Sequence, residues 1–357
     1  MGEVRWLIDA YLDWARGEGI PIVDDTAVDL PAVETKPWAR LGACGAFVHT
    51  HSRGDLNSMY LCELPPGGAT SPQRHLFEEV MYVLDGQGSA VVERVNGERR
   101  SFEWGRGSLF SLPLNMTYRL FNASGLRPAR IASLTNLPMV MKQFRSEAFV
   151  FGTPFEFEDR WGEERYYRGE GTFIPTREQR HMWEANFVPD LIGFDRLTDS
   201  PHRGAGSRNI QFVLGETTMA AHISEVGVGR YKMAHIHGSG THILQLGDEG
   251  YSLYWRDGDR EYRRVDWKYG MLHSPGEREW HQHFNVSDRP GRYLAMSYGG
   301  YRFPFTQAQR NNINHSYATK SEIQIEYENE DPRIRQMFEE ARARYSARQR
   351  SGGPSGG

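Results

Sequence analysis

A constant shift of 162 residues runs through the middle of this sequence. His75 and His237 are that far apart, and so are Gln73 and His235, Gly88 and Gly250, and Pro113 and Pro275. Asn122 and Asn285 differ by 163, and the dipeptides Asn96-Gly97 and Asp257-Gly258 by 161. A spacing kept to within one residue over so long a stretch means two copies of one module, residues 57–137 and residues 208–300. Whatever one copy folds into, the other must fold into as well.

Both copies read as β structure. Short apolar runs such as SMYLCEL, VMYVL and AVVERV in the first, and RNIQFVL, HILQL and YSLYW in the second, are separated by turn residues. The two Gly-containing dipeptides supply the positive φ angles of tight two-residue hairpin turns. Many closely spaced strands without regular helices between them point to an antiparallel sandwich or barrel. Outside the copies, residues 3–17 place Val4, Leu7, Ile8, Tyr11, Leu12 and Ala15 at helical spacing, stopped by Gly17 and Gly19. Residues 176–197 read as a helical connector interrupted by Pro189, residues 332–348 as a terminal helix, and the last residues, SGGPSGG, as a flexible tail.

Composition removes several function classes. Forty-two Lys plus Arg against 46 Asp plus Glu give a net charge of −4 with no block of like charge, which argues against a nucleic-acid binder. Two cysteines, Cys44 and Cys62, make no disulfide framework. The opening residues lack a secretory pattern, and nowhere do 18 apolar residues run together. A soluble cytoplasmic protein without membrane partners is the expectation.

Chemistry concentrates in copy two. Gly229 and five residues precede His235-Ile236-His237; His242 opens the run HILQL; Pro275-Gly276 is followed by His281 and, four residues on, Asn285. On a strand, His235 and His237 face the same way, as a pair of metal ligands would. This pattern resembles the two motifs of the cupin superfamily, whose fold is a jelly-roll β-barrel around a divalent metal; two barrels in one chain make a bicupin. The resemblance covers both copies and implies an all-β chain of two tandem jelly-roll barrels with short flanking helices. The expected division is residues 1–55 as N-terminal helix and arm, 56–150 as first barrel, 151–207 as connector, 208–318 as second barrel, and 319–357 as C-terminal helix and tail.

The family places Glu after the His pair with three or four residues intervening. Here Thr241 and His242 occupy those positions. Aligning HILQL with the run after Glu79 makes His242 the third ligand and gives the set His235, His237, His242 and His281. The ungapped frame turns Thr241 inward instead and leaves three histidines. Around them, His283, Trp280, Arg278 and Lys232 are placed behind the ligands or toward a substrate, with a carboxylate as the group that Arg278 and Lys232 would attract. Copy one keeps the frame but reads Gln73, His75, Glu79 and Tyr118, a degenerate set expected to hold no metal. His181, His202, His222 and His315 match no motif, and His49 and His51 form a His-x-His with no partner motif; all six read as structural.

Imidazole-only ligation leaves the full charge on the ion, which favours anionic oxygen ligands, and an octahedral ion keeps positions open for a small substrate and O2. The resemblance implies one divalent metal per chain, Fe(II) first, with Mn, Ni or Zn as alternatives. The leading expectation is a non-haem Fe(II) dioxygenase acting on a small aromatic or oxygenated acid, similar to gentisate-type ring-cleaving bicupins, in a homo-oligomer. Two others stand beside it: an isomerase, hydrolase or lyase using the metal as Lewis acid, and a small-ligand-binding bicupin without turnover.

Overall fold

The computed structural model describes residues 7–51, 55–176, 181–236, 240–300, 302–305 and 323–351. The first four residues of the expected N-terminal helix, His237, His315 and nearly all of the glycine-rich tail lie outside them.

Four sheets stack in layers. The outermost sheet on one side pairs Thr117–Asn122, Gln87–Glu93 and Arg99–Gly105. It faces an eight-stranded sheet built on Ala43–Thr50, Ser58–Leu64, Ala129–Thr135 and Glu79–Asp85, and aromatic and aliphatic side chains fill the space between the two. The second copy repeats this arrangement. Its nine-stranded sheet contains Arg208–Leu214, Met219–Val226, Gly291–Tyr298, His242–Gln245 and Met271–His273. Its five-stranded sheet contains Arg263–Asp266, Gly250–Trp255, Trp280–Asn285, Ala234–His235 and Gln324–Ile325. The chain is therefore two tandem jelly-roll sandwiches. Their large sheets meet back to back, where Val80, Tyr82, Leu84 and Leu134 pack with Leu244, Leu272, Leu294 and Met296.

The repeat is kept down to single contacts. Gly88 pairs with Asn122, and Gly250 with Asn285. A Cβ on Gly88 would stand 1.9 Å from the carbonyl O of Phe121, and one on Gly250 would stand 2.3 Å from that of Phe284; Trp104 and Trp267 close the other side. Only glycine fits there. Asn122 Nδ2 donates to the carbonyls of Leu64, Pro65 and Arg127, and Asn285 Nδ2 to those of Val226, Gly227 and Arg289. Each asparagine fastens its barrel's corner, which accounts for its presence in both copies.

Three local expectations change. In the hairpins only Gly97 (φ 87°) and Gly258 (φ 89°) take positive φ, while Asn96 and Asp257 do not, so neither turn is the two-residue type with both residues left-handed. Arg94 and Glu98 instead close a longer loop, Arg94 N–H donating to Glu98 O at 2.9 Å. The helix expected over residues 176–197 is absent where that stretch is described: Met182–Ala185 pairs in parallel with Arg208–Leu214, and Phe187–Val188 joins the first barrel's sheet beside Leu109–Phe110. Its buried residues Trp183 and Ala185 alternate with period two, and the seam between barrels supplies the apolar surface that a strand needs. Helices form earlier, at Leu137–Phe144 and Glu147–Gly152, where none was expected.

The terminal helices form, the first shorter than expected: residues 7–9 are not helical, and Leu7 and Ile8 are exposed. Ala10–Gly17, capped by Asp9, buries Tyr11 and Trp14 against the first barrel. Tyr11 Oη lies 2.8 Å from His49 Nε2 and 2.7 Å from Ser58 Oγ. Pro332–Ser351 lays Ile334, Phe338, Ala341 and Tyr345 over Tyr251, Leu253 and Phe284 on the outer face of the five-stranded sheet. The arm between helix and barrel adds Ala27–Asp29 to the second barrel's sheet. No helix among the described residues is long and apolar enough to cross a membrane.

Candidate metal centre

In the second barrel His235 and His281 are direct partners across two antiparallel strands. Their ring centroids are 4.1 Å apart, and both residues are buried. His235 Nδ1 lies 3.3 Å from its own strand's Met233 O, and His281 Nδ1 the same distance from Glu279 O. A carbonyl only accepts, so both Nδ1 atoms carry the proton and both Nε2 atoms present a lone pair, the tautomer a metal ligand needs. His237, two residues beyond His235, lies outside the described residues. Among the described residues no three His, Cys, Asp or Glu side chains converge on one point, so a metal here depends on His237.

His242 does not join the pair. It pairs with Met296, and in antiparallel strands such partners share a face, here the one between the barrels. Its Nε2 lies 3.4 Å from Thr50 Oγ1, which in turn lies 2.9 Å from Ser274 Oγ. The inward-facing neighbours are Ile243, packed with Val226 and Trp267, and Gln245, bonded to His273. At the constant shift of 162, Val80, Tyr82 and Leu84 correspond to His242, Leu244 and Leu246, which share the inter-barrel layer with them; Glu79 corresponds to Thr241. The gapped alignment is thereby corrected, because an inserted residue would turn a whole strand inside out.

Two further expectations move. Trp280 faces away from His281 and donates its Nε1–H to Asp257 Oδ1 at 2.7 Å. Arg278 sits exposed in the preceding turn with φ 55°. Neither lines the interior. His49 belongs to the contact with Tyr11, and His51 stands at the surface beside Asp24.

The first barrel shows what replaces the histidine pair. Gln73 bridges to Tyr118 where His235 meets His281. His75 Nδ1–H donates to Phe77 O at 2.9 Å, and its Nε2 lies 3.2 Å from Tyr118 Oη. Tyr60 O–H donates to Glu79 Oε1 at 2.6 Å, and Tyr118 Oη lies 3.1 Å from Glu79 Oε2. Burial raises Glu79 to about 7, against the opposing bonds from Tyr60 and Tyr118, and lowers His75 to about 4. Tyr60 and Tyr118 both donate to Glu79. With His75 lowered to about 4, its 3.6 Å approach to Glu79 is that of a neutral imidazole near neutral pH and not an ion pair. Trp14, Trp38 and Phe151 close over this cluster, leaving room for about one water.

Deeper in the second barrel lies a polar group that the sequence reading found only in part. His283 Nδ1 lies 2.8 Å from Ser252 Oγ, which accepts from Trp267 Nε1. His273 bonds Tyr254 through Nδ1 and Gln245 through Nε2, and burial lowers it to about 3. Gln245 Oε1 is buried without a hydrogen-bond partner. Lys232 Nζ lies 5.1 Å from the centre of the Tyr293 ring, which lies 4.5 Å from His283. Burial lowers Lys232 to about 7. The signal for Ser252, Tyr254 and Gln245 was the repeat itself. One shift earlier stand Ala90, Val92 and Val83, all packed in an apolar core.

Comparison with protein-family models finds no match, and comparison with curated proteins finds none. Among solved structures, the chain is similar to a mutant of Bacillus subtilis oxalate decarboxylase at TM-score 0.49 and 12% identity, over 84% of this chain and 87% of that one. It is similar to Lactobacillus farciminis oxalate decarboxylase in a formate complex at TM-score 0.49 and 10% identity, over 87% and 95%. Vicilin from Capsicum annuum matches at TM-score 0.48 and 13% identity, over 76% and 85%. An enzyme and vicilin at equal distance give no activity to this chain. The chain's own sheet topology gives its fold: two tandem jelly-roll barrels whose strands repeat one another.

Proposed function

We propose that the second barrel holds one divalent metal through His235, His237 and His281, and that the chain is a metal-dependent enzyme acting on a small organic acid. The carrying observation is the His235–His281 pair: buried, in register on facing strands, each Nδ1 turned to a main-chain carbonyl. When bound, the ion would supply Lewis acidity or, as Fe(II), a redox centre for O2. The chain's own residues do the rest. Met233 and Glu279 carbonyls hold the imidazoles in the ligating tautomer. Val226, Ile243, Trp267 and Ala295 keep bulk water from the interior. Tyr254, His273 and Gln245 form a hydrogen-bonded chain along its wall.

The finer reading is an Fe(II) dioxygenase on a small aromatic or oxygenated acid, supported by the buried imidazole pair and by the Tyr254 and Tyr293 rings beside the interior histidines. The Tyr254–His273–Gln245 chain, which offers uncharged donors and acceptors and no redox group, favours a second reading in which the metal acts as a Lewis acid in a lyase or isomerase. Metal-loaded protein screened against phenolic, keto and dicarboxylic acids, with and without O2, separates them. The dioxygenase reading expects Fe(II)-dependent turnover that consumes O2 in proportion to acid lost. Turnover without O2 assigns the Lewis-acid reading, and no turnover of any acid contradicts both.

A further inference from the structure

Inside the second barrel a cation stands without an anion. Lys232 is 2% exposed, and its Nζ makes no hydrogen bond or ion pair with any described residue. Its neighbour Tyr231 points outward, stacked on Phe284 under the C-terminal helix, so Lys232 points inward. There it lies over the Tyr293 ring beside His283. Glu225, whose charge reaches Lys232, is already held by Arg292 at 2.8 Å and Arg208 at 3.5 Å, and Arg203 adds a further positive charge nearby. Taking an ammonium out of water without a partner is unfavourable, and the fold does not require it. At the equivalent place in the first barrel stands Thr70, fully buried, with Oγ1 accepting from Leu120 N–H at 3.0 Å.

We propose that Lys232 is the anion-binding residue of the second barrel and that its ligand is the carboxylate of a small organic acid. One ammonium among neutral donors and aromatic rings suits a monoanionic carboxylate; phosphate sites gather several cations or a fan of main-chain N–H groups. The orphaned amide oxygen of Gln245 offers an acceptor in the same interior for a hydroxyl on that acid. The inference deepens the reading of this barrel as the reacting site.

Full-length protein as purified, with its metal content recorded, is titrated calorimetrically with acetate, malonate and benzoate and with the corresponding amides. Wild type should bind at least one acid ten-fold or more tighter than its amide. Lys232→Met should lower that acid-to-amide ratio at least ten-fold, keep the metal content, and not lower the thermal midpoint, since methionine fills the stem without a buried charge. A wild-type ratio near one, or a ratio unchanged in Lys232→Met, overturns the proposal. Should Lys232→Met misfold, the wild-type ratio and Lys232→Gln decide in the same way. Failure of the metal reading is distinguishable, because it would show as protein without metal whose acid preference still depends on Lys232.

Discussion

His242 and His281 are both fully packed histidines on strands of the second barrel, yet they serve different layers. His281 faces the interior beside His235, while His242 faces Thr50 across the seam between barrels. Replacing His281 by Ala should therefore abolish metal binding. His242→Ala should leave metal content unchanged and cost about 1–3 kcal/mol of stability through the space left by a fully buried side chain in the seam. Atomic emission analysis beside urea unfolding checks both, and metal loss in His242→Ala would restore the gapped alignment. The pairing of His235 with His281 was legible in the sequence because their order and spacing coincide with the repeat. His242 misled because an apolar run follows it just as one follows Glu79, and apolar runs on strands buried on both faces do not reveal their register.

The buried pair in the first barrel makes a pH prediction. His75, lowered from 6.5 to about 4, contributes stability that is full above pH 6.5 and is lost as pH falls toward 4. Glu79, raised from 4.5 to about 7, contributes stability that is full below pH 4.5 and is lost as pH rises toward 7. Between pH 4.5 and 6.5 the two slopes oppose each other and largely cancel. Relative to wild type, Glu79→Gln should lose stability on acidification through that window, and His75→Phe should lose it on going alkaline, each by about 2–3 kcal/mol. Urea unfolding at half-unit pH steps reads the difference curves. Curves that stay flat would mean that neither group is perturbed by folding.

At the scale of strands and turns, Gly88 and Gly250 are the narrowest points of the two barrels. Gly88→Ala and Gly250→Ala should each destabilise by about 3 kcal/mol or more, because the added methyl meets a main-chain carbonyl and a tryptophan at once. Thermal unfolding checks this, and a shift of only a degree or two in either variant would contradict the equivalence of the two sites. The strands of both copies were readable from alternating runs and from the pairing of one copy with the other. Residues 182–188 were not, since their strand state comes from partners in distant segments, Arg208–Leu214 and Leu109–Phe110. Propensity yields to such tertiary pairing. The N- and C-terminal helices were legible because their buried residues keep helical spacing.

Over the whole molecule, the two barrels share one apolar layer and exchange edge strands, Ala27–Asp29 going to the second and Phe187–Val188 to the first. The constant shift announced two modules, but nothing local in sequence shows that their sheets pack back to back or that arm and connector cross over. Such a seam couples the halves, so calorimetry should give a single unfolding transition, and two separated transitions would contradict the shared layer. The expected homo-oligomer belongs to this scale too. Sedimentation at micromolar concentration should find more than one chain per particle, and a monomer would remove that expectation.

The contrast between the barrels reduces to stoichiometry. The measurement that reads it most directly is metal content per chain, by mass spectrometry of protein purified without chelator, for wild type, His237→Ala and Tyr118→Phe. One divalent ion per chain in wild type and in Tyr118→Phe, and none in His237→Ala, is the result expected of a centre built on His235, His237 and His281 alone. Two ions per wild-type chain, or full occupancy in His237→Ala, would contradict it.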